Sequence, residues 1–424
     1  MLRSMLYVVL ALAVVSARAE DFAVHTWEKV VLTEQFFAEG ANYGDFNKDG
    51  KMDVVYGPYW YEGPDFKVKH EIYSFKPLAD KNAYSNNFLT YVYDFNGDGF
   101  PDVLVYGFPG AEAGWYENPK GKDAPWVRHP VIKVLDNESP NFGDITGDGK
   151  PEIICNSGGQ LGYAEADWTD PTKMWTWHPV SLPDKRWHKY THGLGYGDIN
   201  GDGRVDLVEA TGWWEQPADP KQFPWTFHPY NFVQSTWPIG IKGGAQMIVY
   251  DFNGDGLADV FTSLSAHEYG IAYYEQYKEG NEIKFKQHLI VTNKAEDNPY
   301  GVRFSQAHAF DLIDIDGDGV KDIVTGKRHY AHGAKGDPEP QAAPVLYWFR
   351  TVRSQGKVDF VPYLIDNDSG VGTQICAGDV NGDGLPDVIV GNKRGGFVMI
   401  HKAQKVSKEE WEKAQPKLIA PATK

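Results

Sequence analysis

The sequence predicts an all-β fold, a seven-bladed β-propeller, and three observations support this prediction. A nine-residue acidic motif occurs seven times within 424 residues. Successive copies start 49, 50, 54, 53, 63 and 65 residues apart, which is the length of a four-stranded blade with its loops. Short β-branched runs such as DVLVYG and DVIVG follow the motif, so it joins two strands. The seven copies are Asp45–Asp53, Asp94–Asp102, Asp144–Glu152, Asp198–Asp206, Asp251–Asp259, Asp314–Asp322 and Asp379–Asp387.

Each copy of the motif has the donor pattern of a calcium loop. Oxygen-bearing side chains at positions 1, 3, 5 and 9 suit an ion that takes about six to eight hard oxygen ligands, and position 7 adds its carbonyl. The glycine at position 6, such as Gly50, permits the positive φ that bends the chain around the ion. An EF-hand shares the first six positions but needs an acid at position 12 between two helices, where this chain has strand residues such as Tyr56 and Val105.

The sequence therefore predicts about seven structural Ca²⁺ ions, one in each motif. The predicted ligands are Asp45, Asn47, Asp49, Asp53, Asp94, Asn96, Asp98, Asp102, Asp144, Thr146, Asp148, Glu152, Asp198, Asn200, Asp202, Asp206, Asp251, Asn253, Asp255, Asp259, Asp314, Asp316, Asp318, Asp322, Asp379, Asn381, Asp383 and Asp387.

These loops and their spacing resemble the FG-GAP or VCBS repeats of integrin α-subunit propellers and of many exported bacterial proteins. The resemblance covers about residues 20–402. It implies a seven-bladed propeller with a calcium loop between the first two strands of each blade, and it says little about function.

Each blade is predicted to end in an outer strand that begins near an aromatic residue, as in Trp126 to Ile132 and Phe360 to Ile365. Blade 7 has no such strand after the run that ends at Ile400, whereas Trp27 to Leu32 has the same form ahead of the first motif. We therefore expect the N-terminal strand to complete blade 7, which removes an exposed sheet edge.

Both ends of the chain are predicted to lie outside the propeller, which occupies residues 20–402. Residues 1–19 have a basic start, a short apolar run and the pattern Ala17-Arg18-Ala19, which predicts a signal peptide and a secreted, periplasmic or cell-surface protein. Residues 403–424 form a charged tail. No later stretch approaches the roughly 20 apolar residues of a membrane-spanning helix, and the net charge of -17 argues against nucleic acid as a partner.

Unusual side chains are predicted to gather at the end of the blades opposite the acidic motifs, because an antiparallel blade brings residues before its inner strand close to residues after its second strand. His192 and His308 hold the same register, six residues before the first Asp of their motifs, and both are expected to face the central opening. With His267 or His329 they predict a site for one Zn²⁺ or Mn²⁺ ion with an open coordination position. Outer-strand histidines are interpreted as structural: His129, His178, His228 and His288.

Lys-Arg pairs recur at equivalent turns of blades 6 and 7, near aromatic pairs in other blades. This pattern favours a rim that binds an anionic or polyhydroxylated ligand. The predicted ligand-binding residues are Gln246, His267, Arg328, Gln374, Lys393, Arg394 and Trp213.

The stretch SQAHAFDLIDIDGDGVKDIVTGKRHYAHG, residues 305–333, also resembles the propeller module of aldos-2-ulose dehydratases. The resemblance implies a metal at the propeller mouth that polarises a sugar carbonyl while Lys, His or Tyr removes the adjacent proton. The cupin domains of those enzymes have no counterpart in this sequence. The candidate catalytic residues are His192, His308, Lys327, His329 and Tyr330.

Three readings of function remain open. The first is a carbohydrate-active lyase or dehydratase that performs β-elimination on an oxidised or uronic sugar, with His192 and His308 as metal or carbonyl ligands. The second is a non-enzymatic module that binds a glycan or a protein on the same face. The third is a structural surface component in which calcium serves only the fold. Converging His and Lys side chains favour the first reading, and a flat aromatic face favours the second.

Overall fold

Seven four-stranded antiparallel sheets make up the computed structural model, which describes residues 22–233 and 243–419. The predicted signal peptide, residues 1–19, lies outside the described residues. The first strand of the chain, β1 (Ala23–Thr33), is the outermost strand of blade 7. From the innermost strand outward, blades 1 to 3 contain β2 Ala41–Gly44, β3 Asp53–Tyr56, β4 Tyr59–Tyr61 and β5 Lys69–Glu71 in blade 1; β6 Leu89–Tyr93, β7 Asp102–Tyr106, β8 Ala113–Glu117 and β9 Val127–Ile132 in blade 2; and β10 Asp136–Gly143, β11 Glu152–Ser157, β12 Gln160–Glu165 and β13 Thr176–Pro179 in blade 3. In the same order, blades 4 to 7 contain β14 Leu194–Gly197, β15 Asp206–Glu209, β16 Gly212–Glu215 and β17 Thr226–Pro229 in blade 4; β18 Ile248–Tyr250, β19 Asp259–Ser263, β20 Ile271–Glu279 and β21 Glu282–Val291 in blade 5; β22 Ala307–Ile313, β23 Asp322–Lys327, β24 Leu346–Ser354 and β25 Lys357–Asp366 in blade 6; and β26 Ile375–Gly378, β27 Asp387–Asn392, β28 Gly395–Lys405 and β1 in blade 7.

The predicted all-β, seven-bladed propeller is therefore confirmed. First strands lie innermost, where those of neighbouring blades contact one another around the central axis. Each acidic loop joins the first strand of its blade to the second, as the sequence predicts. Apolar side chains fill the space between adjacent sheets, and aromatic residues such as Phe95 and Trp115 pack there with their ring centroids 5.2 Å apart.

The N-terminal strand completes blade 7, as predicted. β1 pairs antiparallel with β28 from Ala23 opposite Lys405 to Thr33 opposite Gly396. β28 continues past residue 402 because this pairing extends that far. The ring is thus closed by strands from the two ends of the described chain, and blade 7 has no unpaired outer edge at β28.

Each acidic loop is anchored to its own blade by the residue at position 9. In blade 1 the buried Asp53 carboxylate accepts hydrogen bonds from the backbone N–H of Phe46, at 2.9 Å, and of Gly63, at 2.9 Å. Phe46 stands at position 2 and is itself fully buried against the neighbouring blade. The glycine at position 6, Gly50, has a φ of +85°, which allows the loop to turn back toward β3.

Side-chain amides fasten several loops to the next blade. Asn118 Nδ2 donates to the carbonyl of Phe46 at 2.9 Å, and Gln276 Nε2 donates to the carbonyl of Ile199 at 2.9 Å. Gln216 makes the same kind of bond to the blade 3 loop. These bonds join the third strand of one blade to the acidic loop of the blade before it, so we call them the interblade clasps.

The only α-helix in residues 22–233 and 243–419 is α1 (Lys408–Ala414), within the predicted tail. Ser407 and Glu410 form a capping box at its start. Its Trp411 packs against Phe22, with ring centroids 5.3 Å apart, so the helix lies beside the first residues of β1. Two short 3₁₀ turns occur at Ala295–Asp297 and Gly333–Lys335. No helix in these described ranges is both long enough and apolar enough to cross a membrane.

Candidate metal centre

Four ionisable side chains from four consecutive blades converge at the mouth, the end of the central channel opposite the acidic loops. They are Glu138 on β10, His192 before β14, His267 after β19 and His308 on β22. One ligand atom from each lies within 4.8 Å of the others, and all four residues are buried. We call this group the histidine cluster.

The distances within the histidine cluster leave little room between the donor atoms. His192 Nε2 lies 2.9 Å from His267 Nε2. Glu138 Oε2 lies 3.4 Å from His192 Nε2 and 3.4 Å from His308 Nε2. Neither ring nitrogen of His308 has a hydrogen-bond partner among the described residues, although the residue is fully buried. Buried polar atoms normally find partners, so this arrangement fits donors that point at a shared ion.

Electrostatics favour the charge states that ligate metals. Burial lowers the pKa of His308 to about 3, and the Arg328 guanidinium adds to this effect. Burial likewise lowers the pKa of His267 well below its usual value, with contributions from His192 and His308. Burial alone raises the pKa of Glu138, but the adjacent imidazoles outweigh it and hold that pKa well below the usual range. Neutral imidazoles and an ionised carboxylate are the ligand forms of these side chains.

Outer contacts orient two of the imidazoles. His192 Nδ1 lies 2.8 Å from the carbonyl of Tyr190, which leaves Nε2 to face the cluster. His267 Nδ1 lies 3.7 Å from Asp337 Oδ1, and the same oxygen is 2.8 Å from His332 Nδ1. A carboxylate behind a ligating histidine is the usual support of a metal site.

A buried guanidinium ties the histidine cluster to blade 1. Arg328 Nη2 lies 2.8 Å from Glu39 Oε2, and its Nη1 lies 3.7 Å from Glu138 Oε2. Arg328 is 1% exposed. The predicted anion holder is therefore engaged by two carboxylates of the protein itself.

A cavity of about 280 Å³ opens onto the histidine cluster. Its aromatic wall is continuous, because Phe108 lies 5.2 Å from Tyr84 and 6.1 Å from Tyr190 between ring centroids. His332 stands 6.3 Å from Tyr84 on the other side. Glu138, His192 and His267 form the remaining lining. The cavity is thus polar and ionisable at its floor and aromatic at its sides.

The other predicted catalytic residues stand apart from this cavity lining. Lys327 is buried, and its Nζ donates to Ser305 Oγ at 2.6 Å. His329 and Tyr330 are half-buried and lie next to each other, with ring centroids 5.6 Å apart. Burial lowers the pKa of His329 to about 4, and Arg394 and the nearby lysines add to this effect. Of the two alternatives for a third imidazole, the structure brings His267 into the cluster.

The remaining predicted ligand-binding residues are held by other parts of the fold. Gln246 Nε2 donates to the carbonyl of Thr373 at 3.2 Å, across the central channel. Gln374 makes two bonds to the backbone of Thr90, at 2.8 and 2.7 Å. Trp213 stacks on the outer-strand His228 with ring centroids 4.0 Å apart.

The second Lys-Arg pair lies near the mouth without lining the cavity. Lys393 Nζ donates to the carbonyl of Ala331 at 3.0 Å and lies 4.3 Å from the centre of the Tyr84 ring. Arg394 pairs with Asp368 at the surface. Lys393 therefore supports the aromatic wall from behind.

Burial and neighbouring carboxylates raise the pKa of the carboxylates at position 9 of the acidic loops. Burial raises the pKa of Asp53 to about 6, and the loop carboxylates of Asp49 and Asp45 raise it further. Burial and nearby loop carboxylates likewise raise the pKa of Asp102, at position 9 of the blade 2 loop, to about 7. The Asp45 carboxylate accepts the backbone N–H of Asp49 at 3.1 Å and of Gly50 at 3.0 Å, which shapes the turn.

Glu138 is the cluster member that sequence reasoning missed. It stands six residues before Asp144, the same register that identified His192 and His308. In blade 1 this register holds Glu39, the partner of Arg328. The register was a sufficient signal for both glutamates. Tyr84, Phe108, Tyr190 and Asp337 lie in irregular segments with no repeat to mark them.

Comparison with known families identifies the repeats. The FG-GAP-like repeat matches residues 94–155 and 251–325, and the FG-GAP repeat matches residues 371–406. The chain therefore carries FG-GAP repeats, which confirms the resemblance found in the acidic loops. No curated protein matches the sequence at a significant level.

Solved structures show distant likenesses to this chain. A lectin from Agrocybe aegerita described as recognising non-reducing terminal N-acetylglucosamine is 14% identical, with a TM-score of 0.45 and coverage of 89% of this chain and 87% of that one. Rhamnogalacturonan lyase YesW is 12% identical, with a TM-score of 0.40 and coverage of 89% and 72%. The Photorhabdus luminescens Tc holotoxin pore is 20% identical over 75% of this chain, with a TM-score of 0.39. This chain spans only 14% of that toxin chain.

Proposed function

We propose that this seven-bladed propeller of FG-GAP repeats holds a divalent transition-metal ion in the histidine cluster and acts there on a carbohydrate. The observation that carries the proposal is the convergence of three buried imidazoles and one buried carboxylate, of which His192, His267 and Glu138 line the floor of an aromatic-walled cavity. Imidazole nitrogens with one carboxylate oxygen suit Zn²⁺ or Mn²⁺. The fully buried His308 nitrogens without hydrogen-bond partners support this assignment.

The cavity favours a small ligand with both apolar and polar faces. Tyr84, Phe108 and Tyr190 offer ring faces to the C–H surface of a sugar, while the cluster lies where its oxygens would be. A bound divalent ion would act as a Lewis acid toward a carbonyl or carboxylate of that sugar. Beyond the cluster, His332, Tyr84 and Tyr190 are the lining groups able to hold a proton. These features support β-elimination on an oxidised or uronic sugar as the reaction.

A non-enzymatic glycan- or protein-binding module is the second candidate. It is favoured by Lys327, one of the three candidate acid and base groups, whose Nζ bonds to Ser305 and which does not line the cavity. The enzyme and the binding module would use the same site, but only the enzyme would convert the bound sugar to a product. A protein that binds an acidic sugar but never releases an unsaturated product would support the second.

We also propose that the acidic loops bind calcium and that the protein is exported. Carboxylates at positions 1, 5 and 9 lie close together and repel one another without a cation, and burial together with this repulsion raises the pKa of Asp53 and Asp102 at position 9. Export rests on the leader pattern of residues 1–19, with the propeller at 20–402 and the charged tail at 403–424.

Metal content tests the proposed centre directly. We expect purified protein to contain one tightly bound transition-metal ion per chain by elemental analysis, and His308→Ala to lose it. His288→Ala is the matched control, because His288 is bonded to Glu275 on an outer strand and lies outside the cluster. Retention of the ion by His308→Ala, or no binding of Zn²⁺ or Mn²⁺ by the native protein, contradicts the proposal.

Substrate tests follow on the same proteins. Oxidised sugars and uronic oligosaccharides are screened for formation of a conjugated product by ultraviolet absorbance and for binding by calorimetry. Turnover by the native protein and its loss in His308→Ala support the enzyme. Binding without turnover by any metal-loaded sample supports the module.

A further inference from the structure

We propose that the acidic loop of blade 6, Asp314–Asp322, is closed by the guanidinium of Arg350 in place of a calcium ion. The chain then binds six calcium ions in its seven loops. This inference rests on the proposed calcium binding by the other loops, and it concerns the one loop whose charge arrangement differs.

Arg350 reaches from the third strand of blade 6 into its loop. Its Nε lies 2.5 Å from Asp316 Oδ2, and its Nη2 lies 3.0 Å from Asp318 Oδ2. Asp316 and Asp318 occupy positions 3 and 5, whose side chains are both needed to ligate calcium. The contact of Nη2 with Asp318 is a hydrogen bond, and the contact of Nε with Asp316 is an ion pair without hydrogen-bond geometry, so one guanidinium neutralises charge at both positions.

In five of the other six blades the equivalent position has the opposite charge, and in blade 7 it is the uncharged Ile400. In six blades one backbone N–H of the third-strand segment donates to the carboxylate at loop position 9; in blade 6 this is the N–H of Thr351, which donates to Asp322. The equivalent position is the residue directly before this donor, which in blade 6 is Arg350. In the five blades where the charge is opposite, it is a glutamate whose carboxylate lies within 2.9 Å of Nε2 of an outer-strand histidine; the pairs are Glu62 with His70, Glu117 with His129, Glu165 with His178, Glu215 with His228 and Glu275 with His288.

In blade 6 both the third-strand glutamate and the outer-strand histidine are replaced by other residues. The glutamate becomes Arg350, and Tyr363 takes the place of the histidine, opposite Trp348 on the outer strand. Position 3 also changes, because Asp316 is the only acid there among the seven loops. An acid and a base introduced together and in direct contact indicate a pair that has replaced another interaction.

The blade 6 loop differs from the other loops in the placement of its charged groups more than in its net charge. At loop positions 1, 3, 5 and 9 blade 6 has four acids where each other loop has three, and Arg350 offsets the additional negative charge of Asp316. The carboxylate oxygens of Asp314, Asp316 and Asp322 lie within 4.8 Å of one another, close enough to hold a metal ion, and the Arg350 guanidinium contacts Asp316 of this group. A calcium ion drawn to these carboxylates would stand close to Arg350, and the two cations would repel.

Basic contacts in the other loops are of a different kind. Lys120 lies 3.5 Å from Asp98 and is mostly exposed, so it touches one carboxylate from the solvent side. Arg204 is a residue of the blade 4 loop itself and pairs with Asp202 alone. Neither bridges positions 3 and 5.

The test counts calcium ions per chain by native mass spectrometry, with zinc and manganese distinguished by elemental analysis. We expect six in the native protein and seven in Arg350→Met. The double variant Asp316→Asn with Arg350→Glu gives blade 6 the same charges at loop position 3 and at the third-strand position as the five blades with a glutamate there, and it is also expected to bind seven. Arg128→Met, which removes an ion pair with Glu112 on an outer strand, is the matched control and keeps six.

Each outcome decides between the two proposals. Seven ions in the native protein overturn the role of Arg350 and leave calcium binding intact. Six ions in both the native protein and the two Arg350 variants also overturn it, because another loop, such as that of blade 3 with Thr146 and Glu152, is then the vacant one. No bound calcium in any form overturns calcium binding itself.

Discussion

Buried charged side chains surround the mouth of the propeller. Arg328, Lys327 and Lys393 are each 1% exposed, and Glu39 is fully buried. Arg328 finds two carboxylates, whereas Lys393 reaches only a backbone carbonyl and a tyrosine ring. Keeping Lys393 charged in this position therefore costs folding free energy.

Replacing Lys393 by methionine tests this cost. Burial lowers the pKa of Lys393 from its usual 10.5 to about 8, against the opposing pull of Glu39. Between these values the unfolded chain binds more protons than the native protein, so native stability rises with pH from about 8 to 10.5. Lys393→Met is expected to be more stable than the native protein at pH 7 and to lack this part of the rise.

Urea unfolding at a series of pH values measures the difference. Lys286→Met, at an exposed outer-strand position, is the control and keeps the native pH profile. An unchanged slope in Lys393→Met would show that this lysine keeps its ordinary pKa.

The histidine cluster shows what residue-level reasoning reaches and where it stops. His192 and His308 followed from their shared register before the acidic loop, and His267 was one of two alternatives for the third ligand. Glu138 has that register too, but the sequence prediction for the mouth rests on histidines. Asp337 and the aromatic wall depend on how irregular loops fold over the mouth, which no periodic signal encodes.

Interblade clasps are features of whole elements, since each joins the third strand of one blade to the loop of another. Gln276 is a strong example, because its Nε2 donates both to Ile199 in blade 4 and to Ala258 in its own blade, at 2.9 and 2.6 Å. Each clasp residue directly follows the third-strand glutamate, in WYEN, WWEQ and YYEQ, but its distance from the acidic loop differs from blade to blade, so the repeat spacing alone does not identify it.

Removing one clasp is expected to destabilise the propeller measurably. Gln276→Leu keeps an apolar stem but leaves the buried carbonyl of Ile199 and the partly buried carbonyl of Ala258 without their donor, which costs about 1–3 kcal/mol. Denaturant unfolding followed by tryptophan fluorescence measures the loss. Gln222→Leu at an exposed position is the control, and equal stability of the two variants would show that the clasp contributes nothing.

At the scale of the whole molecule, the repeat predicted the architecture well. Blade number, blade order and the closing role of β1 all followed from seven motifs and one displaced strand. The docking of α1 beside Phe22 was not foreseen, because a short charged segment carries no signal for the surface that it will contact.

Calcium removal is expected to weaken the entire ring. Treatment with a calcium-selective chelator should lower the midpoint of thermal unfolding, since ions that bind only the folded loops stabilise it by mass action. Added calcium should restore the midpoint, and magnesium should not, because it prefers a smaller octahedral site. Scanning calorimetry makes the measurement, and a midpoint that ignores the chelator would contradict calcium binding.

The pairing of β1 with β28 also sets a constraint on how the protein is made. During synthesis the first strand emerges early, yet its partner is the last strand of the propeller to appear. Until then β1 offers an open hydrogen-bonding edge to any other nascent chain, so a cell must shelter it or delay the collapse of the blades. Completion of the ring is consequently a late, long-range step, and such steps make folding slow.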